Sequence, residues 1–253
     1  MIRADERNPV ARALVAGLRS AWPEIDAAEV VYVIGGDGFF LASVHELGFD
    51  RSYVGLNAGR LGFLLNDVVG PDGAPRTDVV ERLRAGAVRV RDLPLLEARV
   101  RRADGSEQVE LAVNDVYLER MTGQTARLSL WLGGERMDSV LVADGIIFAT
   151  PVGSTGYSFS AGGPALDPRV AALAVTPICA HTPRLPPLVL PATARPRVEV
   201  VHPERRPVRV VIDGRATDHV VAVEVTTAAR CVRVGWLDNH DFTRCLVDKL
   251  LRP

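Results

Sequence analysis

The sequence predicts an α/β domain with a parallel sheet, then an all-β antiparallel domain, then a C-terminal helix that packs back on the first domain. Three observations predict it. Short apolar runs alternate with helical periodicity over residues 1 to roughly 85, the order of strand and helix that builds parallel sheets. From Val88 onward β-rich stretches replace that alternation, separated by the Gly-containing dipeptides that hairpins prefer. Asp241–Leu251 then sets Phe242, Cys245, Leu246 and Leu250 on one helical face. The boundaries are 1–87, 88–238 and 239–253.

Residues 8–20 carry Val10, Ala13, Leu14 and Leu18 at helical spacing. No strand is evident ahead of them. Val30–Ile34 is a compact apolar run, a buried strand that enters Gly35-Gly36-Asp37-Gly38, and Phe39–Leu47 continues as a helix. Tyr53–Leu56 is a second short strand ending in Asn57-Ala58-Gly59, and Asp78–Leu83 is helical. In the β-rich part, strands fit Leu95–Arg101, Val109–Glu119, Arg127–Leu132, Ser139–Thr150, Ala172–Cys179, Arg197–His202, Val208–Asp213, Val220–Thr226 and Cys231–Trp236. Asp104-Gly105 and Gly133-Gly134 are hairpin turns between them.

Composition narrows the chemistry. The 253 residues are 47% hydrophobic and 24% charged with a net charge of -1, so no global field draws the chain to nucleic acid or anionic membrane. No apolar run is long enough for a membrane-spanning helix, and the N-terminus is charged where a signal peptide is apolar. A cytoplasmic protein is expected, with no nucleic-acid and no membrane partner. Cys179, Cys231 and Cys245 are scattered and share no metal-ligand spacing, so they read as small buried hydrophobes. The single lysine, Lys249, lies far from every glycine-rich loop. Walker P-loops, protein-kinase sites and Schiff-base chemistry all need a lysine there, and are excluded.

Four segments carry polar chemistry. At the first, Gly35, Gly36 and Gly38 let the backbone approach a ligand, and a helix N-terminus favours an anion such as phosphate. Asp37 repels phosphate, so it fits a role on a sugar hydroxyl, as proton acceptor or as a Mg2+ ligand; the plain alternative is a tight turn with Asp37 as N-cap. The second, Asn57-Ala58-Gly59-Arg60-Leu61-Gly62-Phe63, ends the neighbouring parallel strand and should face the first loop, since such loops converge on one crevice. Arg60 can meet phosphate there or simply be solvated. The third, Asn114-Asp115, interrupts an apolar stretch: an amide suits an adenine edge and a carboxylate suits vicinal hydroxyls, against the alternative of a β-bulge. The fourth runs from Asp144-Gly145 to Gly163-Pro164, dense in glycine, serine and threonine, with Tyr157 as a stacking ring. A flexible loop is its plain reading, but Tyr157 and Phe159 are poor linker residues.

These segments, in this order and spacing, resemble the NAD kinase family, and Pro177–Pro191 and Asp213-Gly214-Arg215 extend the match. The resemblance implies a sandwich-like C-terminal domain, a site in the cleft between the domains, and transfer of a phosphoryl group from ATP to the 2′-hydroxyl of the adenosine ribose of NAD. It implies that Asp37 engages the acceptor ribose as catalytic residue and that Gly35, Gly36, Gly38, Asn57 and Arg60 bind phosphate. Gly38, Asn114, Asp115, Asp144, Thr155, Gly156, Tyr157 and Ser160 would contact NAD, with Asp144 toward the nicotinamide end. Mg2+ or another divalent cation would accompany ATP, with no protein-bound metal, and the molecule would be a homodimer or homotetramer. Phe39 stands where the family usually carries threonine. Two rivals keep part of the pattern: a diacylglycerol-type lipid kinase shares the Gly-Gly-Asp-Gly turn, and a non-catalytic dinucleotide-binding protein would keep the pocket alone.

Overall fold

The computed structural model describes residues 1–59, 62–70, 76–238 and 240–247. Its two compact units are Met1–Leu93 together with the chain from Cys231, and Pro94–Arg230. These limits differ from the expected 87/88 and 238/239 because Val88–Arg102 and Val220–Leu237 are single long strands that carry the chain from one unit into the other. A change of composition marks where such a strand begins, and its packing partners change partway along it.

In the first unit the strands that lead into the helices pair in parallel. Ile2–Ala4 lies beside Val31–Gly35, which lies beside Ser52–Asn57, which pairs through Tyr53 with Val234 of the last strand. The strand at Ile2–Ala4 is one that the sequence did not reveal; three residues are too few for a periodicity. Every residue of Val31–Gly35 is buried, as befits a strand covered on both faces. The helix Pro9–Ala21 begins where the Asn8 side chain accepts from the amides of Val10 and Ala11, with Pro9 in its first turn. It buries Ala11, Leu14 and Leu18 in a cluster with Ile34, Val54, Leu56, Val79 and Leu83, the last two from the helix Thr77–Arg84. Each such side chain contributes about 1.5–3 kcal/mol relative to exposure. Of the expected terminal helix, Phe242–Leu246 is helical; Lys249 and Leu250 lie outside the described residues.

The second unit is a β-sandwich. One sheet runs Leu188–Pro191, Ala172–Ile178, Gly145–Ala149, Asp115–Arg120, Val208–Ile212, Arg215–Thr217, all antiparallel. In the other, Arg197–Val200 pairs with Ala126–Leu132 and with Val220–Leu237, and Glu107–Ala112 pairs with Val88–Arg102. Leu96, Val100, Leu128, Leu130, Val198 and Val223 meet Val116, Leu118, Phe148, Leu173, Val175 and Val210 in one buried core. At Gly133-Gly134 both residues have positive φ, and Trp131 pairs with Arg136 across the turn, the hairpin expected there.

Two expected strands are broken. Val109–Glu119 divides into Glu107–Ala112 and Asp115–Arg120, and Ser139–Thr150 divides into Leu141–Ala143 and Gly145–Ala149, which belong to different sheets. The switch at Asp144-Gly145 requires glycine, since a Cβ at Gly145 would stand 2.0 Å from the Leu118 carbonyl oxygen. The cysteines also correct the expectation: Cys179 and Cys231 are exposed and Cys245 is half-buried. Cys179 follows the end of its strand with φ 47°, and Cys231 takes the outward place before buried Val232.

Candidate functional site

Each unit carries its own polar cluster. In the first, Val31–Gly35 and Ser52–Asn57 run side by side, Gly35 opposite Asn57, so the loops that follow them leave the sheet at the same end. Gly36 is the N-cap of the helix Asp37–Leu47, with no side chain capping it; Asp37 stands in the first turn and is not the cap. Its carboxylate turns to the second loop, where the Phe63 amide donates to Oδ2 at 3.1 Å. A Cβ on Gly62 would stand 2.9 Å from the other oxygen, Oδ1, so any larger residue would have to push the carboxylate aside. The two loops thus face each other, as the strand order required.

The turn also leaves room. Among the described residues, a Cβ built on Gly36 or Gly38 meets no atom within 4 Å, and neither residue has a left-handed backbone. Among the described residues nothing packs where a side chain at these positions would go, and a ligand approaching the helix N-terminal amides would use the space. Gly35 differs: a Cβ there would press on the Phe39 ring at 2.9 Å. Asn57 is buried and engaged on both ends, Nδ2 donating to Asp67 at 2.9 Å and Oδ1 accepting from Gly59 N at 2.9 Å. Buried Asn66 joins two strands, donating to the carbonyls of Gly55 and Gly235 and accepting from Leu237 N. Arg60 lies outside the described residues.

In the second unit the chain breaks between strands at Val113-Asn114, and there the polar pair sits. Asn114 Oδ1 is buried with no hydrogen-bond partner among the described residues, an acceptor that a ligand amino group would satisfy. Asp115 is 7% exposed. Burial, reinforced by the neighbouring Asp213 carboxylate, raises its pKa to about 7. The following strand delivers the fourth segment to the same place: Thr150 N donates to Asn114 O at 2.9 Å, and Gly153 lies so close that a Cβ would be 2.0 Å from that oxygen.

Beyond Gly153 the segment is ordered by its own hydroxyls. Ser154 donates to Pro151 O and accepts from Leu166 N, Thr155 donates to Val152 O, and buried Ser158 bonds Thr176. It is a built turn, with the short helix Tyr157–Ser160 closing it. Tyr157 is 38% exposed and meets Tyr117 edge-to-face at 4.9 Å between centroids. Burial raises the Tyr157 pKa and, with Glu119 adding to it, pushes that of Tyr117 to about 12. Gly156 and Ser160 are exposed beside it. Asp144 is held by Arg120 Nε at 2.6 Å. Sequence reasoning gave Asp213 no role, yet its carboxylate accepts from the amides of Val113, Asn114 and Asp115. The Asp213-Gly214 dipeptide, a hairpin signal between two strands, was the available clue.

Residues 113–233 match the ATP-NAD kinase C-terminal domain. An NAD kinase of Hyphomonas neptunium is 34% identical over 252 residues, 97% of this chain and 94% of the relative. One of Xanthomonas oryzae pv. oryzae is 38% identical over 204 residues, 79% and 76% of the two chains. Among solved structures, yeast NADH kinase complexed with NADH has a TM-score of 0.81 at 22% identity, covering 99% of this chain and 86% of that one. An Archaeoglobus fulgidus NAD kinase in complex with ATP has a TM-score of 0.74 at 21% identity, covering 98% of each. The architecture, an α/β unit with a β-sandwich, is therefore one that dinucleotide kinases share. The chain belongs to the NAD kinase family.

Proposed function

We propose that this enzyme transfers the terminal phosphoryl group of ATP to the 2′-hydroxyl of the adenosine ribose of NAD, making NADP. The observation that carries the reading is the held carboxylate of Asp37 beside two glycines whose Cβ space is open among the described residues. Phosphoryl transfer asks a protein for positioning and charge stabilisation more than for covalent chemistry. Asp37 orients the attacking hydroxyl and accepts its proton as the new P–O bond forms and the bond to the leaving diphosphate breaks. The amides of the Gly35–Gly38 turn stabilise the phosphate charge, in a chain whose single lysine is Lys249. Asn57, and Arg60 three positions further along the sequence, would bind phosphate.

Asn114 Oδ1 accepts from the adenine amino group, and Asp115 faces ribose hydroxyls. Thr155, Gly156, Tyr157 and Ser160 form the wall for the nucleoside, and Asp144 meets the nicotinamide end. Among the described residues no group of three or more His, Cys, Asp or Glu side chains is placed to hold a metal ion. Mg2+ would be held by phosphate oxygens and water rather than by a set of protein ligands. The cation would neutralise charge on the triphosphate. The family resemblance supports a cytoplasmic homodimer or homotetramer; among the described residues no helix is long and apolar enough to cross a membrane.

The test is Asp37→Asn, with NADP formation from NAD, ATP and Mg2+ followed alongside NAD binding by calorimetry. Turnover should fall by a factor of about 10² to 10⁴ while NAD affinity stays near wild type. Near wild-type turnover would remove Asp37 from the reaction.

A further inference from the structure

Asp213 and Gly214 are the two residues that join Val208–Ile212 to Arg215–Thr217, and both have positive φ, 45° and 83°. This is the left-handed pair of a tight hairpin turn, and aspartate tolerates the conformation better than most side chains. Ile212 pairs with Val116 on the adjacent strand, so the turn brings Asp213 beside the start of that strand, and Asp213 N donates to Asp115 O at 3.2 Å. The Asp213 carboxylate meets three successive amides: Val113 N to Oδ2 at 2.6 Å, Asn114 N to Oδ1 at 2.8 Å and Asp115 N to Oδ1 at 3.2 Å.

The carbonyls of the same peptides are held by Thr150. Its Oγ1 donates to Val113 O at 2.8 Å and its amide to Asn114 O at 2.9 Å. Donors and acceptors that would otherwise extend the strand are thus withdrawn from pairing, and the backbone at 113–115 is fixed from both sides. Three amides on one carboxylate are charge-assisted bonds, stronger than the neutral bonds of a sheet. What they fix is the direction of the Asn114 and Asp115 side chains.

We propose that Asp213, with Thr150, is a positioning residue for dinucleotide recognition: it acts through the backbone of residues 113–115 to aim Asn114 and Asp115 at NAD. The inference rests on the reading that Asn114 and Asp115 contact NAD. It extends the site to a residue that touches no substrate and predicts a separation of effects. Loss of the clamp should weaken NAD binding, while ATP affinity and the rate at saturation are retained.

The experiment compares Asp213→Asn, Asn114→Ala and the double variant for NAD Kd, for kcat, and for the KM of NAD and of ATP. Asparagine keeps the size but replaces one acceptor oxygen by a donor. Asp213→Asn should raise NAD KM and Kd about tenfold or more, because a bond to a charged group is lost. Its kcat and ATP KM should stay within about twofold of wild type. The double variant should be worse than Asn114→Ala by clearly less than the loss seen in Asp213→Asn alone, since Asp213 acts in part through Asn114 and in part through Asp115. Where Asp213→Asn does not fold, Thr150→Val carries the test, and Thr150→Ser should restore NAD binding. Unchanged NAD Kd in Asp213→Asn beside a weakened one in Asn114→Ala would overturn the clamp alone. Unchanged NAD Kd in Asn114→Ala would overturn the contact reading, and the recognition role of Asp213 with it. An equal loss in kcat and both KM values, or strict additivity, would leave Asp213 a purely structural residue.

Discussion

Asp115 should make the second unit less stable as the solution becomes neutral. Its carboxyl is 7% exposed, and burial followed by the Asp213 charge raises its pKa from 3.8 to about 7. Between those two values the folded chain retains a proton that the unfolded chain has released. The stability contributed by Asp115 is therefore largest below pH 4, declines as pH rises, and levels off above pH 7. The slope approaches ~1.4 kcal/mol per pH unit within the window, which gives roughly 2 kcal/mol between pH 5 and pH 7. For a chain of this size that corresponds to a Tm change of roughly 4–8 °C. The perturbation is Asp115→Asn, which keeps the shape and removes the titration. Thermal or urea unfolding of both proteins at pH 5, 6, 7 and 8, without ligand, gives the difference in stability at each pH. That difference should shift toward the variant by roughly 2 kcal/mol from pH 5 to pH 7 and then flatten. A difference independent of pH would refute the reasoning, because it would mean that Asp115 ionises in the folded protein as it does in the unfolded one.

Two further outcomes follow from single contacts. Gly62→Ala places a methyl 2.9 Å from Asp37 Oδ1 and must displace the carboxylate by a few tenths of an ångström; kcat for NADP formation should fall about tenfold while the fold persists by circular dichroism. An unaltered kcat would show that the Gly62 contact does not set the position of Asp37. Asn66→Ala strands two carbonyls and an amide in the interior. It should cost about 3 kcal/mol in urea unfolding, and a loss below about 0.5 kcal/mol would mean that water replaces the amide.

The alternation of strand and helix up to residue 85 was legible because each element is long enough to show its period. Pro9–Ala21 is an example, carrying its N-cap, its proline and its apolar face in sequence. The facing of the two glycine-rich loops was legible too, since adjacent parallel strands must send their loops the same way. Short edge strands were not, because Ile2–Ala4 and Leu188–Pro191 carry no pattern that distinguishes them from loop. Nor was the switch of sheets at Asp144-Gly145. An unbroken apolar run looks the same whether its halves pair in one sheet or in two, and the Leu118 carbonyl that demands Gly145 is distant in sequence.

By itself the sequence determined the fold class, the family and the identity of the polar residues, because periodicity, glycine-rich turns and motif order are local properties of the chain. Tertiary structure decided which of those residues are held, and by what. Asn57 is satisfied from both ends by Asp67 and Gly59, Asp37 is held by an amide 26 residues away, and the Asn114-Asp115 backbone is gripped by Asp213 from about 100 residues further on. A carboxylate's partners and its burial depend on which strands come to lie beside it, and strand pairing over such separations is settled only when the whole core closes.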